Sequence, residues 1–395
     1  MTIDPMKEIE GLVAFEGRWP GTDAERRAAQ HLEQRLQALG RDADVEPASV
    51  YPNYPVTHAI HALIGIVGSV LSVYTPVIGA ALVLFATISA FGDLTGSLYI
   101  VRRLTGRRAS QNVTSKESGE GKRGTVVLTA HYDASRTGSV FGPKAVERRA
   151  TFGKLIRRGL GPFEPFFWSF VVILVCSLLR LVGFDGTSLT VVQFIPTVVL
   201  IASVPLLVDI ALSDVVPGAN DNASGVATVL RLAERYSGKL ENFNVWVVFP
   251  GAEEGLVLGM REWLAKHKGD LDRERTVFLN VDMAGTGTVR WIEKEGLVMS
   301  LRYHPTLVQL CEEIAEENDT GRGMISRHAT DALVPRSAGY PAITITSRNA
   351  LDYAPHWHQS TDTADRIDLD SLERTYAFCG ELLERLDVSI GPDLA

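Results

Sequence analysis

Two adjacent carboxylates, Glu253 and Glu254, are the residues of this 395-residue chain that most clearly suggest chemistry. They come shortly after an apolar run, Phe243 to Phe249, and directly before Gly255. Side chains alternate along an extended chain, so neighbouring carboxylates can serve different tasks, one binding a metal ion and the other acting on water beside it. A solvated loop with two negative charges is the simpler interpretation of this segment alone. The metal-binding interpretation requires further metal ligands elsewhere in the chain, whereas the solvated loop requires none.

Further candidate ligands stand where other predicted strands end, and they are His131, Asp133, Asp221, Asp282 and His358. Each has a simpler explanation: a histidine at a strand end is often only hydrogen-bonded, Asp221 could cap the helix after it, and Asp282 could belong to a turn. The carboxyl ends of strands in an open α/β sheet lie at one edge, however, so these residues are expected to meet. Histidine nitrogens and carboxylate oxygens are ligands that zinc accepts. If two metal ions bind, Asp221 on its glycine-flanked loop is the natural bridging ligand.

Strands and helices alternate in the sequence around these candidates. Periodicity predicts helices at 22–39, 222–236, 256–267, 305–317 and 370–386, and strands at 125–130, 244–249, 276–281 and 342–346. Thr22 and Glu25 have the spacing of a capping box at the start of the first helix. The alternation predicts an α/β fold, with a mostly parallel sheet that has helices on both faces.

Two apolar hairpins interrupt this pattern. Residues 58–91 contain no Asp, Glu, Lys or Arg and are divided near Pro76, and a second apolar pair covers 162–183 and 190–212. Their lengths predict four transmembrane helices, in hairpins at 56–100 and 161–213, and assign 1–55, 101–160 and 214–395 to the remaining domain. A buried helical subdomain and a hydrophobic dimerisation lid are the alternatives.

The basic residues predict how the hairpins lie in a cell membrane. Basic clusters flank the hairpins on the side of the remaining domain, and the hairpin tips carry none, so the positive-inside rule places that domain in the cytoplasm. Arg180, near the far end of the third apolar segment, is the exception and is expected to snorkel to the interface. The lipid bilayer is thus a predicted partner.

Composition argues against other classes of partner and compartment. The formal net charge is -8 with a pI near 5.7, so no nucleic-acid partner is expected. Three widely spaced cysteines do not form a disulfide framework and favour a reducing compartment.

Five motifs, in the order HYD, GANDNASG, GAEEGLVLG, NVDMAG and HQSTDT, resemble the co-catalytic dizinc aminopeptidases of the aminopeptidase Y and bacterial leucyl aminopeptidase type. The segment FEGRWPGTDAERRAAQHLEQRLQALG is similar to the opening helix of that family. The resemblance implies the dizinc exopeptidase fold and two Zn²⁺ ions. It assigns His131 and Asp282 to one zinc, Glu254 and His358 to the other, and Asp221 to both.

The resemblance also assigns the catalytic roles. Glu253 would be the general base, and Asp133 would orient the histidine two residues before it. His356 is a possible ligand in place of His358, but His358 has the His-x-x-x-Asp-Thr spacing of the family. The implied enzyme is an aminopeptidase that hydrolyses N-terminal residues of peptide substrates at the cytoplasmic face of a membrane, and a homo-oligomer is one of its candidate assemblies.

This sequence departs from the family pattern in two places. Between His131 and Asp221 lie 89 residues that include the second hairpin, so this insertion is expected close to the mouth of the active site. Thr330-Asp331-Ala332 stands where the family often has Ser-Asp-His. Two alternatives remain open: a single-zinc acyltransferase of the glutaminyl cyclase type, and a membrane scaffold that keeps the peptidase fold without catalysis.

Overall fold

A nine-stranded mixed sheet forms the centre of the molecule in the computed structural model, which describes residues 3–155 and 161–391. The strands are β1 (Asp44–Val50), β2 (Arg108–Ser115), β3 (Gly124–Thr129), β4 (Phe243–Phe249), β5 (Thr276–Asp282), β6 (Thr288–Glu295), β7 (Leu301–Arg302), β8 (Arg322–Ile325) and β9 (Ala342–Arg348). Their order is β1-β2-β4-β3-β5-β9-β6-β7, and β8 pairs with β6. The four central strands β4, β3, β5 and β9 are parallel, whereas β1, β2, β6 and β7 join the sheet through antiparallel pairs.

Helices cover both faces of this sheet, as in the predicted α/β class, which is confirmed. They are α1 (Pro5–Val13), α2 (Asp23–Ala38), α3 (Tyr54–Tyr74), α4 (Pro76–Thr95), α5 (Pro143–Leu155), α6 (Phe163–Leu181), α7 (Thr187–Leu212), α8 (Ser224–Tyr236), α9 (Leu258–His267), α10 (Pro305–Asn318), α11 (Leu333–Ser337) and α12 (Leu369–Arg385). Helix α8 packs on β3, β4 and β5, α12 on β6 and β9, and α9 on β1 and β2. The central strands are almost wholly buried, because a parallel sheet is covered on both faces.

The predicted elements lie within a few residues of the observed ones, but β1, β2, β6, β7, β8, α1, α5 and α11 were not predicted. Strand β2 illustrates the reason. Its sequence, RASQNVTS, is polar, yet most of its residues are buried. The amide of Asn112 donates to the carbonyl of Gly259 at 3.1 Å and accepts from the backbone N–H of Gly251 at 3.2 Å. Long-range hydrogen bonds therefore stabilise a strand that hydrophobic periodicity does not reveal.

The predicted capping box at the start of α2 is only half formed. Thr22 Oγ1 accepts from the backbone N–H of Glu25 at 3.2 Å, as expected. The Glu25 carboxylate, however, accepts from Gly21 at 2.6 Å rather than from the N–H of Thr22, and it is fully buried. Glu25 thus points into the molecule, where it has other partners.

The four apolar helices α3, α4, α6 and α7 are long and apolar enough to cross a membrane. They pack on one another around residues such as Ala62, Val83, Phe170 and Leu200. Gly79 allows a close approach, because an added Cβ there would lie 2.2 Å from the backbone nitrogen of Ser72. The outer surface of the four helices is also apolar, which is typical of helices that face lipid.

Arg180, which the sequence predicts to snorkel, has polar partners within the protein, one of them in the hairpin turn. Its guanidinium is buried among the apolar helices and donates to Gln193 Oε1 at 3.1 Å, to Thr190 Oγ1 at 2.8 Å and to the carboxylate of Asp185. These partners on α7 and in the hairpin turn satisfy the charge within the protein. An ionisable side chain inside an apolar bundle is expected to face such partners.

Candidate active site

The candidate ligands meet at the carboxyl edge of the parallel part of the sheet. His131 follows β3 by two residues, Glu253 and Glu254 follow β4, and Asp282 is the last residue of β5. Because β4, β3 and β5 are parallel neighbours, their ends deliver these side chains to one place. Asp221 comes from the loop before α8, and His358 from the loop after β9.

Two groups of three possible metal ligands share Asp221. One group is His131, Asp221 and Asp282, the other is Asp221, Glu254 and His358, and the ligand atoms within each group lie within 4.8 Å of one another. Oδ1 of Asp221 is 3.3 Å from His131 Nε2, and its Oδ2 is 3.3 Å from His358 Nε2. His358 Nε2 is also 3.2 Å from Glu254 Oε2. Each oxygen of Asp221 therefore faces a different group.

His356 lies apart from this cluster. It is half-buried, and its Nδ1 is 2.8 Å from the hydroxyl of Thr361. Of the two histidines that the sequence left as alternatives, the structure brings His358 to the other candidate ligands.

Asp133 contacts both the histidine and the glutamate loop. Its Oδ1 is 3.5 Å from His131 Nδ1, which agrees with an orienting position behind the ring. The same carboxylate accepts from the backbone N–H of Glu253 at 3.1 Å and of Glu254 at 3.0 Å. Asp133 thus fixes the backbone of both glutamates, a role that sequence reasoning missed.

Glu253 is buried beside the two groups without belonging to either. Its Oε2 lies 3.8 Å from His131 Nε2. Burial raises the pKa of the Glu253 carboxyl well above its usual range, and the neighbouring His131 opposes the rise. The two adjacent glutamates therefore have different surroundings.

Burial and neighbouring charges together set the pKa values of the other ligands. Burial, reinforced by Asp221, raises the pKa of Asp282 to about 6. Burial also disfavours the ionised form of Asp221, but hydrogen bonds from His131 and His358 hold its pKa well below the usual range. The pKa of His358 rises to about 9 because the attraction of Glu254 and Asp221 outweighs the effect of burial. Asp221 is the acid whose charge the site stabilises most.

Several supporting residues were not recognised as such from the sequence. Asp362 accepts from the backbone N–H of Asn220 at 2.9 Å and of Asp221 at 3.0 Å, so it holds the loop of the shared ligand. Glu25 accepts from the backbone N–H of Ala252 at 3.1 Å, next to Glu253. Burial raises the pKa of Glu25 to about 8 and that of Asp362 to about 7. The motif HQSTDT contains Asp362 and was the available signal.

Arg18 joins three segments behind the site. It is fully buried and donates to the carbonyl oxygens of Tyr132 at 2.8 Å, Pro217 at 2.6 Å and Gly218 at 2.7 Å. Burial lowers the pKa of its guanidinium to about 10. The opening motif FEGRWPGTD, which sequence reasoning treated only as a helix start, carries this residue.

Asp331 also reaches the centre. It is 1% exposed, and neither carboxylate oxygen has a hydrogen-bond partner within the described part of the chain. Burial raises the pKa of Asp331 well above its usual range. Although Thr330-Asp331-Ala332 differs from the Ser-Asp-His run of the family, it still places an acid, Asp331, at the site.

The backbone is strained where it carries these residues. Positive φ angles occur at Ala252 (52°), Val257 (53°), Met283 (57°) and His358 (55°). Such values are rare for residues with a side chain and rarest for a β-branched valine. Strain of this kind is concentrated at functional sites, where the surrounding contacts must maintain it.

A cavity of about 510 Å³ opens beside the ligands. The glutamates, His131, Asp221, Asp282 and His358 line one side of it, and residues 322–330 line another. Helix α5 and the start of α6 complete the wall. The insertion between His131 and Asp221 thus lies at the mouth of the site.

An α/β sheet whose strand ends gather two overlapping groups of histidine and carboxylate side chains is an arrangement that can bind metal ions. Comparison with known proteins agrees with such a site, because residues 203–383 match peptidase family M28. The resemblance to zinc aminopeptidases is thereby confirmed.

Individual relatives agree with this assignment. A probable leucine aminopeptidase of Arthroderma otae is 30% identical over an alignment of 187 residues that covers 44% of this chain and 46% of that protein. The chain thus spans less than half the length of the curated relatives it matches.

Solved structures share the fold. A Zn-dependent exopeptidase from Parabacteroides distasonis superposes with a TM-score of 0.53 at 14% identity, covering 98% of both chains. A glutaminyl cyclase from Tannerella forsythia superposes with a TM-score of 0.55 at 16% identity, covering 97% of this chain and 99% of that one. At such low identity these matches establish the fold alone.

Proposed function

We propose that this chain is a membrane-anchored dizinc aminopeptidase that removes N-terminal residues from peptides at the cytoplasmic face of the bilayer. The observation that carries the proposal is Asp221, whose two carboxylate oxygens face two different groups of ligand atoms. The peptidase family of residues 203–383 and the leucine aminopeptidase relatives support the reaction class.

The residues fit zinc in chemistry and in burial. Imidazole nitrogens and carboxylate oxygens suit Zn²⁺, and all five proposed ligands are buried. Oε1 of Glu254 and Oδ1 of Asp282 are buried acceptors without a hydrogen-bond partner in the described chain. Buried carboxylate oxygens normally have a donor or a cation beside them, so a bound ion accounts for both atoms.

His131 and Asp282 would hold one zinc, Glu254 and His358 the other, and Asp221 both. When bound, zinc would polarise the scissile carbonyl, stabilise the negative charge that develops on its oxygen and make a water molecule more acidic.

Glu253 is proposed as the general base. Its carboxylate faces the two groups, takes a proton from the attacking water and then passes it to the nitrogen of the leaving amine. Asp133 positions this carboxylate, because its two hydrogen bonds fix the backbone at Glu253 and Glu254. Asp133 also stands behind His131 and keeps the imidazole oriented.

Measurements of zinc content and hydrolysis test the proposal directly. The full chain, purified in detergent, is expected to bind about two zinc ions and to release amino acids from short peptides with a free N-terminus. Glu253→Gln is expected to keep the zinc and to lose activity by a factor of about 100 or more. Glu262→Gln, an exposed position on α9, is the matched control and should behave as the wild type.

Three results would contradict the proposal. Full activity in Glu253→Gln would exclude the base. One zinc per chain together with cyclisation of N-terminal glutamine would favour the glutaminyl cyclase alternative. Two bound zinc ions without hydrolysis of any peptide would favour the inactive scaffold.

The membrane topology needs its own experiment. Helices α3, α4, α6 and α7 are proposed to span the bilayer, with the catalytic residues on the side of the basic clusters. Thr75→Cys lies at the tip of the first hairpin, and Glu120→Cys is an exposed site in the remaining domain. A membrane-impermeant thiol reagent added to intact cells should label Thr75→Cys alone. Labelling of Glu120→Cys, or recovery of the protein in the supernatant without detergent, would contradict this topology.

A further inference from the structure

Five cationic side chains line the cavity beside the catalytic residues, and they are Arg149, Lys154, Arg322, Arg327 and Arg348. Five carboxylates line it as well, those of Asp221, Glu253, Glu254, Asp282 and Asp352, but the first four belong to the proposed metal site and its base. Whether these cations are available to a substrate depends on their own partners in the protein.

Two of the arginines are already paired. Arg322 contacts both carboxylate oxygens of Asp352 at 2.9 and 2.7 Å. Arg327 lies 3.6 Å from a carboxylate oxygen of Glu164 and donates to Ser300 Oγ at 2.7 Å. Each of these two arginines therefore has an acidic partner, although Asp352 is shared with Arg290 at 3.0 Å.

Arg149 and Arg348, in contrast, form no ion pair with an acid in the described part of the chain. Arg149 is half-buried on α5 and makes no hydrogen bond or ion pair with another residue of the described ranges. Arg348, at the end of β9, is 8% exposed, and its Nη1 donates to Thr346 Oγ1 and to the carbonyl of Ser347. Within those same ranges no carboxylate lies close enough to Arg348 for an ion pair, and its Nε and Nη2 have no partner.

The positive charges of Arg149 and Arg348 both influence His328, which also lines the cavity. Burial, and then the positive charges of Arg149 and Arg348, lower the pKa of His328 to about 3. The His328 ring packs edge-on against Trp357 at a centroid distance of 4.7 Å, and Trp357 precedes the proposed ligand His358. Both guanidinium groups thus flank a wall of the cavity that adjoins the metal site.

A guanidinium removed from water and left without an anion is unfavourable, and a carboxylate offers the geometry that matches its planar set of donors. Burial lowers the pKa of Arg149, and no described acid offsets this effect. The acids that act most strongly on Arg348 are Asp282 and Asp221, whose charge the metal ions would share, and Asp352 and Glu295 act on it less. Asp352 is already paired with Arg290 and Arg322, so little counter-charge is left for Arg348 once the first two acids hold metal.

We infer that this aminopeptidase selects substrates with a carboxylate close to the scissile bond, and that Arg149 and Arg348 bind that carboxylate. The inference rests on the proposed peptidase function. The carboxylate has two possible sources: the side chain of an N-terminal Asp or Glu, or the terminal carboxylate of a dipeptide. Both present the same anionic group to the two guanidinium groups.

Pairs of peptides that differ only in that charge separate the sources. Glu-Ala-amide is compared with Gln-Ala-amide for the side chain, and Ala-Ala with Ala-Ala-amide for the terminus. The acidic member of one pair is expected to have a kcat/KM higher by a factor of about 10 to 100, mainly through KM if the contact stabilises substrate and transition state equally.

Variants of neighbouring residues on α5 supply the matched control. Arg149→Ala should abolish the preference, and Arg149→Glu should reverse it so that Lys-Ala-amide becomes the better substrate. Arg148→Ala, at an adjacent exposed position that does not line this cavity, should leave the preference unchanged. Arg348→Lys should weaken the preference, because lysine keeps the charge but not the planar donors. A purely structural role for Arg149 would not reverse charge selectivity.

Binding without turnover provides a second measurement. Thermal unfolding of the zinc-loaded Glu253→Gln variant is followed with free glutamate and with free glutamine, and glutamate should raise the midpoint more than glutamine. Equal kcat/KM within both peptide pairs, or a preference that survives Arg149→Glu, would overturn the inference and leave the peptidase function intact. Failure to hydrolyse any peptide, neutral ones included, would count against the proposed function as well.

Discussion

Arg102 donates a hydrogen bond of 2.8 Å from Nη1 to the carbonyl oxygen of Gly255, the residue that follows the two glutamates. The same guanidinium holds the carboxylate of Asp93 with bonds of 2.7 and 2.6 Å, and Nη1 also reaches the carbonyl of Tyr51 at 3.0 Å. Asp93 lies in the last turn of α4. Arg102 thus joins the end of the first apolar hairpin to the loop that carries the proposed base, so this loop is anchored on the candidate membrane helices.

Arg102→Ala should destabilise the whole protein. It leaves the Asp93 carboxylate buried without its principal counter-charge, a change that typically costs about 3–5 kcal/mol. The measurement is the thermal unfolding midpoint in detergent, with exposed Arg103→Ala as the adjacent control. Equal midpoints for the two variants would show that the contact at Gly255 and the ion pair contribute little.

Gly259→Ala should displace the loop before the glutamates. An added Cβ at Gly259 would lie 1.8 Å from the carbonyl oxygen of Gly251, so one of the two backbones must move. Overpacking of this kind costs about 1–3 kcal/mol, and a shift of the catalytic loop by about 1 Å can lower activity 100-fold. Gly269→Ala is the control, because an added Cβ there meets nothing within 4 Å. Wild-type kcat/KM in Gly259→Ala would contradict the prediction.

Stability should depend on pH through Glu25. Burial raises the pKa of this carboxyl from 4.5 to about 8, so the folded protein binds a proton that the unfolded chain releases between these values. The contribution of Glu25 to the free energy of unfolding is therefore greatest below pH 4.5 and falls as pH rises through 8, by at most about 1.4 kcal/mol per pH unit.

The comparison with Glu25→Gln isolates this contribution, since glutamine does not titrate. The stability of the wild type minus that of the variant should decrease from pH 5 to pH 8, measured by thermal or denaturant unfolding. A constant difference, or one that increases with pH, would show that the hydrogen bonds from Gly21, Ala252 and the Ser110 hydroxyl keep Glu25 ionised.

Zinc content should fall unequally when single ligands are replaced. Asp221 faces both groups, so Asp221→Asn should reduce the bound zinc by about two ions, whereas Asp282→Asn should reduce it by about one. Metal analysis after dialysis gives the stoichiometry, and Glu253→Gln serves as the control that retains both ions. Chelation should lower the unfolding midpoint of the wild type, because a ligand that binds only the folded state stabilises it. Equal losses for Asp221→Asn and Asp282→Asn would contradict a shared ligand.

The α/β class and the four apolar helices could be predicted because hydrophobic periodicity is a local property of the chain. Helices α3 and α4 extend only a few residues beyond the uncharged run 58–91. The ends of β3, β4 and β5 could be located in the same way, and with them His131, the glutamates and Asp282. The parallel order of these strands then required their ends to lie at one edge.

The tertiary structure alone decided what surrounds those residues. Glu25 could be read as part of a helix cap, but it is folded against Ala252, and Asp133 binds backbone N–H groups 120 residues away along the chain. Arg102 meets Gly255 across 153 positions, and the polar strand β2 is stabilised by partners from distant segments. Packing between segments that are far apart in the chain determines the partner of each buried polar group. Local sequence patterns do not predict such pairings. The sequence by itself therefore determined which residues could do the chemistry, and the fold determined what holds them in place.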